Sequence, residues 1–410
     1  MDVLYPRCAG LDVHQKTVVA CVRIHGEAGK AKTETRTFPT HTAALIELSQ
    51  WLTERECTHV AMEATGVYWK PVWHILEGNF ELVLANARHV RNVPGRKSDV
   101  NDAAWLADLL AHGLVRSSFV PPQPIQELRD LTRTRKQLVR QRAQHVNRLH
   151  KVLEDANIKV GSLITDITGK SGRAILSALI AGEQNPQTLV QLTHARLKTP
   201  KSDLMLALQG KVTAHHRFLL QMHLDQIDGV DRSLEKLDTQ IEEQTRPFAK
   251  MVDQLQCIPG MSVNAARVVL AEIGPDMSHF STAARLVSFA GLCPRMDESA
   301  GKKNSVRLRK GSAWLKTTLV SCAWAAARSK NTYARAQFHR IKTRRGSKRA
   351  VVAVAASMLT SIYYLLKRGT DFVDPGPTYF DQRDRTRMTK RLQKRLEALG
   401  YNVQLTPVAA

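Results

Sequence analysis

The chain has 410 residues, which is enough for two or three domains that each bury a core. Its 60 Lys and Arg residues outnumber 37 Asp and Glu residues, and the formal net charge of +23 predicts an extended polyanionic partner. Six scattered cysteines without a Cys-x-x-Cys pair argue against a zinc site and a secreted disulfide framework. We expect no secretory leader and therefore a cytosolic protein that binds nucleic acid.

The first segment, up to about residue 120, combines short apolar strand patterns with helical ones. We expect strands at 8–13, 17–24, 35–38, 59–62 and 81–86, and helices at 43–52 and 98–112. A tight turn at 14–16 makes the first two strands antiparallel neighbours. The order strand, strand, strand, helix, strand, helix, strand is typical of an RNase H-like α/β fold.

Three prolines at 121, 122 and 124 mark a boundary, after which a long basic helix is expected over 125–157. Its cations Arg129, Arg133 and Arg140 are candidates for contact with nucleic acid. Further on, apolar residues recur at spacings of three and four over 220–241. This pattern predicts either a coiled-coil seam for self-association or one helix of an antiparallel hairpin.

A helix-hairpin-helix is expected from residue 257 to 274, with Pro259 and Gly260 forming the hairpin. Such a hairpin presents backbone N–H groups at a helix N-terminus to a phosphate, where the helix dipole favours negative charge. It binds a duplex without reading its bases. We therefore predict nucleic-acid contact at this turn.

No Asp or Glu occurs between Glu298 and Asp371, although Lys and Arg recur throughout that stretch. An ordinary solvated face would mix both signs, so a phosphate-binding surface is favoured. The cations assigned to it are Lys302, Lys303, Arg307, Arg309, Lys310, Arg344 and Arg345. The apolar run at 350–366 is short for a membrane span and predicts a buried helix, and a basic helix is expected over 383–399.

Four acidic residues stand in positions suited to metal binding. Asp12 interrupts an apolar strand and Glu63 ends another, which is costly unless a metal or partner compensates the charge. Asp99 and Asp102 lie three residues apart at the start of a helix and share one face. Carboxylates that converge in this way hold Mg²⁺ or Mn²⁺ in phosphoryl-transfer enzymes. The alternative for the two aspartates is a simple favourable interaction with the helix dipole.

These residues resemble the IS110/IS1111 family of insertion-sequence transposases. The acidic segments GLDV at 10–13, MEATGVYW at 62–69 and KSDVNDA at 97–103 are similar to that family's D-E-D-D segments. The C-terminal segments IPGM at 258–261, FAGLCPR at 289–295, ESAGK at 298–302 and RKG at 309–311 follow its transposase domain in order. The resemblance weakens between about 157 and 213.

The resemblance implies a RuvC-like acidic domain and a serine that together form one composite site, between protomers of a dimer or tetramer. It implies DNA recombination rather than hydrolysis, guided by a structured non-coding RNA from the element. The serine that aligns is Ser299, a nucleophile that would form a phosphoserine link to DNA. Here an alanine separates Ser299 from Gly301 where many relatives have Ser-Gly, so Ser305 and Ser312 remain alternatives.

The fold expected is α/β plus all-α. It comprises an RNase H/RuvC-like domain over 1–120, a helical coiled-coil linker over 121–250, a mainly helical domain over 251–380 and a basic tail over 381–410. A junction-resolving nuclease that activates water with Asp12, Glu63, Asp99 and Asp102 is the main rival function. A non-catalytic nucleic-acid-binding protein is the second rival, but it gives the four acids no purpose.

Overall fold

A computed structural model describes residues 2–26, 31–64, 66–86, 90, 102–194, 197, 199–295, 298–299, 302–303 and 307–406. The contacts within it divide the chain into two compact units, Met1–Val120 and Pro121–Ala410. The first unit is a mixed α/β structure, and the second is mostly helical. The finer division of the second unit at 250 and 380 stays a prediction.

The first unit is built on a five-stranded sheet. Its strands are β1 (Arg7–Val13), β2 (Thr17–His25), β3 (Ala31–Pro39), β4 (His59–Glu63) and β5 (Glu81–Ala85). Its described helices are α1 (Thr42–Glu54), α2 (Trp69–Leu76) and α3 (Asp102–Ala111). The strand order is β3-β2-β1-β4-β5, with β1 to β3 antiparallel and β4 and β5 parallel to β1. This topology is compatible with an RNase H-like fold.

The two faces of the sheet have separate cores because successive strand residues point to opposite sides. On one face, Leu11 and Met62 pack with apolar residues of α1 and α2. On the other face, Cys8 and Ala61 pack with Leu106 and other apolar residues of α3. The second face is the one that bears the predicted acidic residues.

The second unit contains two long helices and a compact group of shorter ones. The part up to residue 256 holds α4 (Gln123–Asp155), α5 (Lys170–Ala181), α6 (Pro186–Gln191), α7 (Lys201–Ala207), α8 (Ala214–Thr245) and α9 (Ala249–Gln256). The part that follows holds α10 (Val263–Ile273), α11 (Ala283–Phe289), α12 (Ala313–Ala326), α13 (Tyr333–Arg345), α14 (Ser347–Arg368), α15 (Tyr379–Arg383) and α16 (Arg385–Glu397).

The helices α4 and α8 lie antiparallel against each other within the chain. Two ion pairs show the direction, because Arg135 pairs with Asp238 whereas Arg142, further along α4, pairs with the earlier Asp231 of α8. The Arg142 Nε lies 2.6 Å from an oxygen of the Asp231 carboxylate. The apolar residues that predicted a seam, Leu220, Val230, Leu234, Leu237, Ile227 and Ile241, are buried or half-buried. The structure therefore gives the antiparallel hairpin, and self-association stays a prediction.

The apolar run near the C-terminus forms α14. By length and composition this helix could cross a membrane, but half of its most apolar window is buried inside the second unit. Val354, Leu359 and Ile362 are fully buried there. The predicted buried helix is the better description of α14, because its apolar residues pack against other helices of the same unit.

Candidate functional site

The acidic cavity lies in the first unit, where β1 and β4 meet the start of α3. Leu11 of β1 pairs with Met62 of the parallel strand β4, and Asp12 and Glu63 are the next residues of these two strands. Leu11 and Met62 face α1 and α2. Alternation along the strands therefore turns Asp12 and Glu63 toward α3, which begins at Asp102. Three distant segments of sequence meet at this point.

The three carboxylates line one cavity of about 20 Å³, which is close to the space that one water or one ion needs. The remaining lining residues are Leu11, Val90, Trp105 and Leu106. The Trp105 indole nitrogen is buried and meets no hydrogen-bond partner among the described residues. A polar ligand in this cavity would therefore find the acceptor oxygens of three carboxylates in its walls.

The acidic cavity has the donor chemistry for Mg²⁺ or Mn²⁺, because both ions prefer hard oxygen ligands. The fourth predicted ligand, Asp99, lies outside the described residues. Within the part of the chain that the structure describes, no three His, Cys, Asp or Glu side chains are grouped closely enough to hold an ion. Metal binding would therefore require the carboxylates to draw together or Asp99 to join them.

His14 lies in the turn between β1 and β2, where the sequence predicted a turn residue. Its Nε2 is 3.1 Å from Oδ2 of Asp12. The imidazole is 59% exposed and the Asp12 side chain 23% exposed, so solvent reaches this pair. This contact orients the Asp12 carboxylate, a role that the sequence did not single out.

A glycine determines how closely α3 approaches the sheet. A Cβ atom on Gly10 would lie 2.2 Å from the carbonyl oxygen of Ala103 and 2.5 Å from the amide nitrogen of Ala107. Both are backbone atoms, so the helix itself would have to move. We expect Gly10→Ala to lower the free energy of unfolding by about 1–3 kcal/mol and to displace Asp102 from the acidic cavity. Urea denaturation followed by circular dichroism measures the first effect.

Gly26→Ala is the matched control for this change, since a Cβ atom there would meet no atom within 4 Å. It should leave the urea midpoint nearly unchanged. Equal stability of the two variants would show that α3 does not depend on contact with Gly10.

The serine hairpin, residues 293–309, lies in the second unit. Hydrogen bonds join the backbone of Arg295 to Arg307 at 2.9 Å and that of Arg309 to Cys293 at 3.1 Å. Further along, two short strands pair antiparallel, β6 (Glu298–Ser299) and β7 (Lys302–Lys303). Ser299 pairs with Lys302, so it stands beside the two-residue connection at the end of the hairpin. The backbone therefore places Ser299 at a tip flanked by basic sequence.

Close backbone packing holds the two ends of the serine hairpin together. A Cβ atom on Gly311 would lie 2.4 Å from the amide nitrogen of Gly291 and 2.4 Å from the carbonyl oxygen of Phe289. Gly291 has a φ of +67°, a conformation that favours glycine. The amide of Ser312 donates to the carbonyl oxygen of Phe289 at 3.1 Å. These contacts fix the base of the serine hairpin.

The hydroxyl of Ser312, an alternative nucleophile, is engaged in the structure. It caps α12 by accepting from the amide of Leu315 at 3.3 Å, and it donates to Oε2 of Glu272 at 3.0 Å. Glu272 is 1% exposed and forms two hydrogen bonds to Arg133, at 2.8 and 3.0 Å. A hydroxyl held in this way fits a capping role. Ser305 lies outside the described residues.

Two of the cations assigned to nucleic acid form contacts inside the second unit. Arg129 donates to the carbonyl oxygens of Ala271 and Glu272, at the C-terminal end of α10, at 3.1 and 2.8 Å. Burial lowers the pKa of its guanidinium to about 10. Arg133 is paired with Glu272. The sequence missed Glu272, although a single acid inside the apolar run of α10 is a signal for a buried ion pair.

The other predicted cations are more accessible. Exposed side chains belong to Arg140, Arg307, Arg309, Lys310, Arg344 and Arg345. The Arg140 guanidinium lies 5.7 Å from the Trp314 ring centre, and Arg309 donates to the Ser288 hydroxyl at 2.9 Å. The backbone of Lys302 and Lys303 forms β7. Their contact with nucleic acid, like that of Arg129 and Arg133, stays a prediction.

The predicted hairpin turn at Pro259 and Gly260 connects α9 to α10. Ser262 caps α10 by accepting from the amide of Ala265 at 3.3 Å, and Ser262, Val263 and Asn264 are exposed. Gly260 packs against α12, because a Cβ atom there would lie 2.4 Å from the carbonyl oxygen of Cys322. The exposed start of α10 is therefore the part of this turn that a phosphate could reach.

Two transposase family models match segments of this sequence. Residues 9–158 match the transposase family model named for the DEDD residues of IS110. Residues 252–340 match the model for transposases of the IS116/IS110/IS902 family. The first match contains Asp12, Glu63, Asp99 and Asp102, and the second contains Ser299.

A curated relative is similar over much of the chain. The transposase for insertion sequence element IS1111A of Coxiella burnetii is 26% identical over 295 residues, which cover 70% of this chain and 71% of the relative. This similarity spans more of the chain than either family model alone.

Proposed function

The chain belongs to the IS110 family of insertion-sequence transposases, and we propose that it cuts and rejoins DNA through a phosphodiester that links Ser299 to a DNA strand. The observation that carries the proposal is the convergence of Asp12, Glu63 and Asp102 on one small cavity. Three carboxylates from distant segments of the sequence line this cavity, and such a set of hard oxygen donors suits the divalent ions that phosphoryl transfer uses.

In the proposed reaction, the oxygen of the Ser299 hydroxyl attacks a phosphorus atom of the DNA backbone. The bond from that phosphorus to one deoxyribose oxygen breaks, and the departing oxygen takes up a proton as the serine loses its own. One phosphodiester replaces another, so the bond energy is kept. A hydroxyl of a second DNA strand then attacks the phosphoserine, forms the new DNA junction and returns the serine. Recombination follows without hydrolysis.

The acidic residues have a separate part in this scheme. Asp12, Glu63, Asp99 and Asp102 would hold Mg²⁺ or Mn²⁺. When bound, such an ion polarises the phosphate and stabilises the attacking and leaving oxygens. The chain itself orients the donors and sets the distance between α3 and the sheet. His14 orients Asp12 through the 3.1 Å contact, and Gly10 allows the close approach of α3.

DNA is the partner that membership of a transposase family implies. We further propose a structured non-coding RNA as guide and a dimer or tetramer as the active assembly. The net charge of +23 supports a large polyanionic surface, which would accommodate both nucleic acids. The proposed setting is the bacterial cytosol, near the nucleoid.

The first test is the formation of a covalent adduct. Purified protein, Mg²⁺, a DNA duplex that carries the element junction and RNA from its flanks are incubated and then denatured. We expect a protein–DNA adduct on a denaturing gel, and mass spectrometry of the digested adduct should place the DNA on Ser299. Cut DNA ends without an adduct would instead support the nuclease that activates water. Attachment of the DNA to another serine would identify that serine as the nucleophile.

A further inference from the structure

A cavity of about 770 Å³ in the second unit is used by no step of the proposed reaction. It lies between helices α11, α13 and α14 and a connection that we call the C-terminal strap, residues 370–378, which joins α14 to α15. Pro259 of the hairpin turn and Cys293 at the base of the serine hairpin also line it. Its volume lies in the range of about 300–1,000 Å³ that is usual for ligand sites.

The charges at this cavity disfavour a phosphate inside it. Its described lining contains Asp371 and Asp374 and no Lys, Arg or His. Asp374 accepts hydrogen bonds from the amides of Tyr333 and Gly376 at 2.9 and 2.7 Å, and Asp371 accepts one from Gln254 at 3.0 Å. These carboxylates hold the C-terminal strap in place, and they would repel an anion.

One wall of the cavity has an acceptor that lacks a donor. The side-chain amide of Gln337 donates to the Ser357 hydroxyl at 2.8 Å. Its Oε1 is buried and has no hydrogen-bond partner within the described part of the chain. A buried acceptor without a donor is unfavourable by itself. This oxygen has less than 1 Å² of accessible surface, so it is part of the wall and does not face an occupant directly.

Aromatic side chains line the cavity, and cations stand outside it. Tyr333, Tyr364 and Tyr379 are in the lining. The Tyr364 ring is 43% exposed, and the Arg368 guanidinium lies 4.8 Å from its centre. Neither Arg368 nor any other cation lines the described interior. This division, with rings inside and a cation at the rim, suits a base that enters while its phosphate stays outside.

We propose that this cavity binds one unpaired nucleobase of a nucleic acid that the protein holds. Tyr364 stacks on the base, and Arg368 contacts a flanking phosphate. DNA and RNA present the same bases, so either could supply the occupant. The site concerns binding alone and does not depend on Ser299 or the acidic cavity.

The test measures binding without cleavage. Short single-stranded DNA and RNA oligonucleotides, each with one 2-aminopurine, are titrated with the full-length protein over a range of salt. Tyr364→Leu should weaken binding roughly tenfold and relieve the quenching of the 2-aminopurine fluorescence, because a stacking partner is lost. The slope of log affinity against log salt should not change, because no phosphate contact is removed.

Arg368→Gln is the matched control from the same rim. It should lower the salt slope by about 0.7, the contribution of one phosphate contact on a single strand. A variant that fills the cavity, Ser361→Trp, should weaken binding as Tyr364→Leu does. Melting curves show whether each variant is folded. If Ser361→Trp does not fold, Tyr364→Leu alone tests the proposal, because Tyr364 is 43% exposed and its replacement should not disturb the core.

The two nucleic acids identify the source of the base. An effect confined to DNA, or confined to RNA, assigns the occupant to that strand, and photocrosslinking of 5-iodouracil to Tyr333 or Tyr364 in the unaltered protein confirms the place. Wild-type affinity and quenching for Tyr364→Leu with both oligonucleotides would overturn the proposal. That result would leave the proposed recombination untouched, since adduct formation at Ser299 is measured separately.

Discussion

Ser299→Ala is expected to abolish the covalent protein–DNA adduct and strand exchange, with a fall of more than about a thousandfold in rate. The reason is that no other group can replace the oxygen that carries the phosphate. DNA binding should persist, because the basic surface is unchanged. The measurement compares adduct yield on denaturing gels with affinity in a filter-binding or anisotropy assay.

Ser312→Ala is the control for this prediction, because it removes a hydroxyl from the same region of the second unit. The Ser312 hydroxyl caps α12 and donates to Glu272, so its loss should lower stability by about 1 kcal/mol and leave the adduct in place. An adduct that survives in Ser299→Ala would exclude Ser299 as nucleophile. Loss of the adduct in Ser305→Ala would then identify Ser305 as its replacement.

Asp12→Asn is expected to reduce both cleavage and adduct formation by more than about a hundredfold. The change removes one negative charge from the acidic cavity while keeping the side chain's size, so the affinity for Mg²⁺ or Mn²⁺ falls. Calorimetric titration with Mn²⁺ measures the loss of binding independently of activity. Cleavage of the junction DNA measures its consequence.

Asp108→Asn provides the matched control on α3. Asp108 forms an ion pair with Arg23 at 2.8 Å and does not line the acidic cavity. Asp108 also lies 3.6 Å from Nδ1 of His112. Its replacement should change neither Mn²⁺ binding nor cleavage by more than about twofold, since partly exposed ion pairs contribute little. Unchanged cleavage in Asp12→Asn would exclude Asp12 as a ligand of the functional metal, whereas no cleavage by the unaltered protein would favour the non-catalytic protein that binds nucleic acid.

The sequence predicted the elements of the first unit well because their patterns are local. Short apolar runs predicted β1 and β2 to within one residue, and the apolar strand that Glu63 ends was found as β4. The third strand was expected at 35–38 but extends over Ala31–Pro39. Most of its residues are polar and exposed, so they show no apolar pattern, although their backbone pairs fully with β2.

The pairing of the long helices could not be settled from the sequence. An apolar stripe at spacings of three and four is the same whether its partner is a second copy or another helix of the chain. The decision came from tertiary contacts, since Arg135 and Arg142 of α4 meet Asp238 and Asp231 of α8 within one chain. Charged pairs between helices are not visible in either helix alone.

The sequence by itself indicated the transposase family and the strands that carry Asp12 and Glu63. These depend on motif order and local periodicity. Only the tertiary structure showed that Gly10 sets the approach of α3, that Ser312 and Arg133 converge on the buried Glu272, and that a large cavity lies beside the C-terminal strap. Each of these contacts joins residues that are far apart in the chain. Close packing decides which of them meet, and no local sequence pattern encodes that packing.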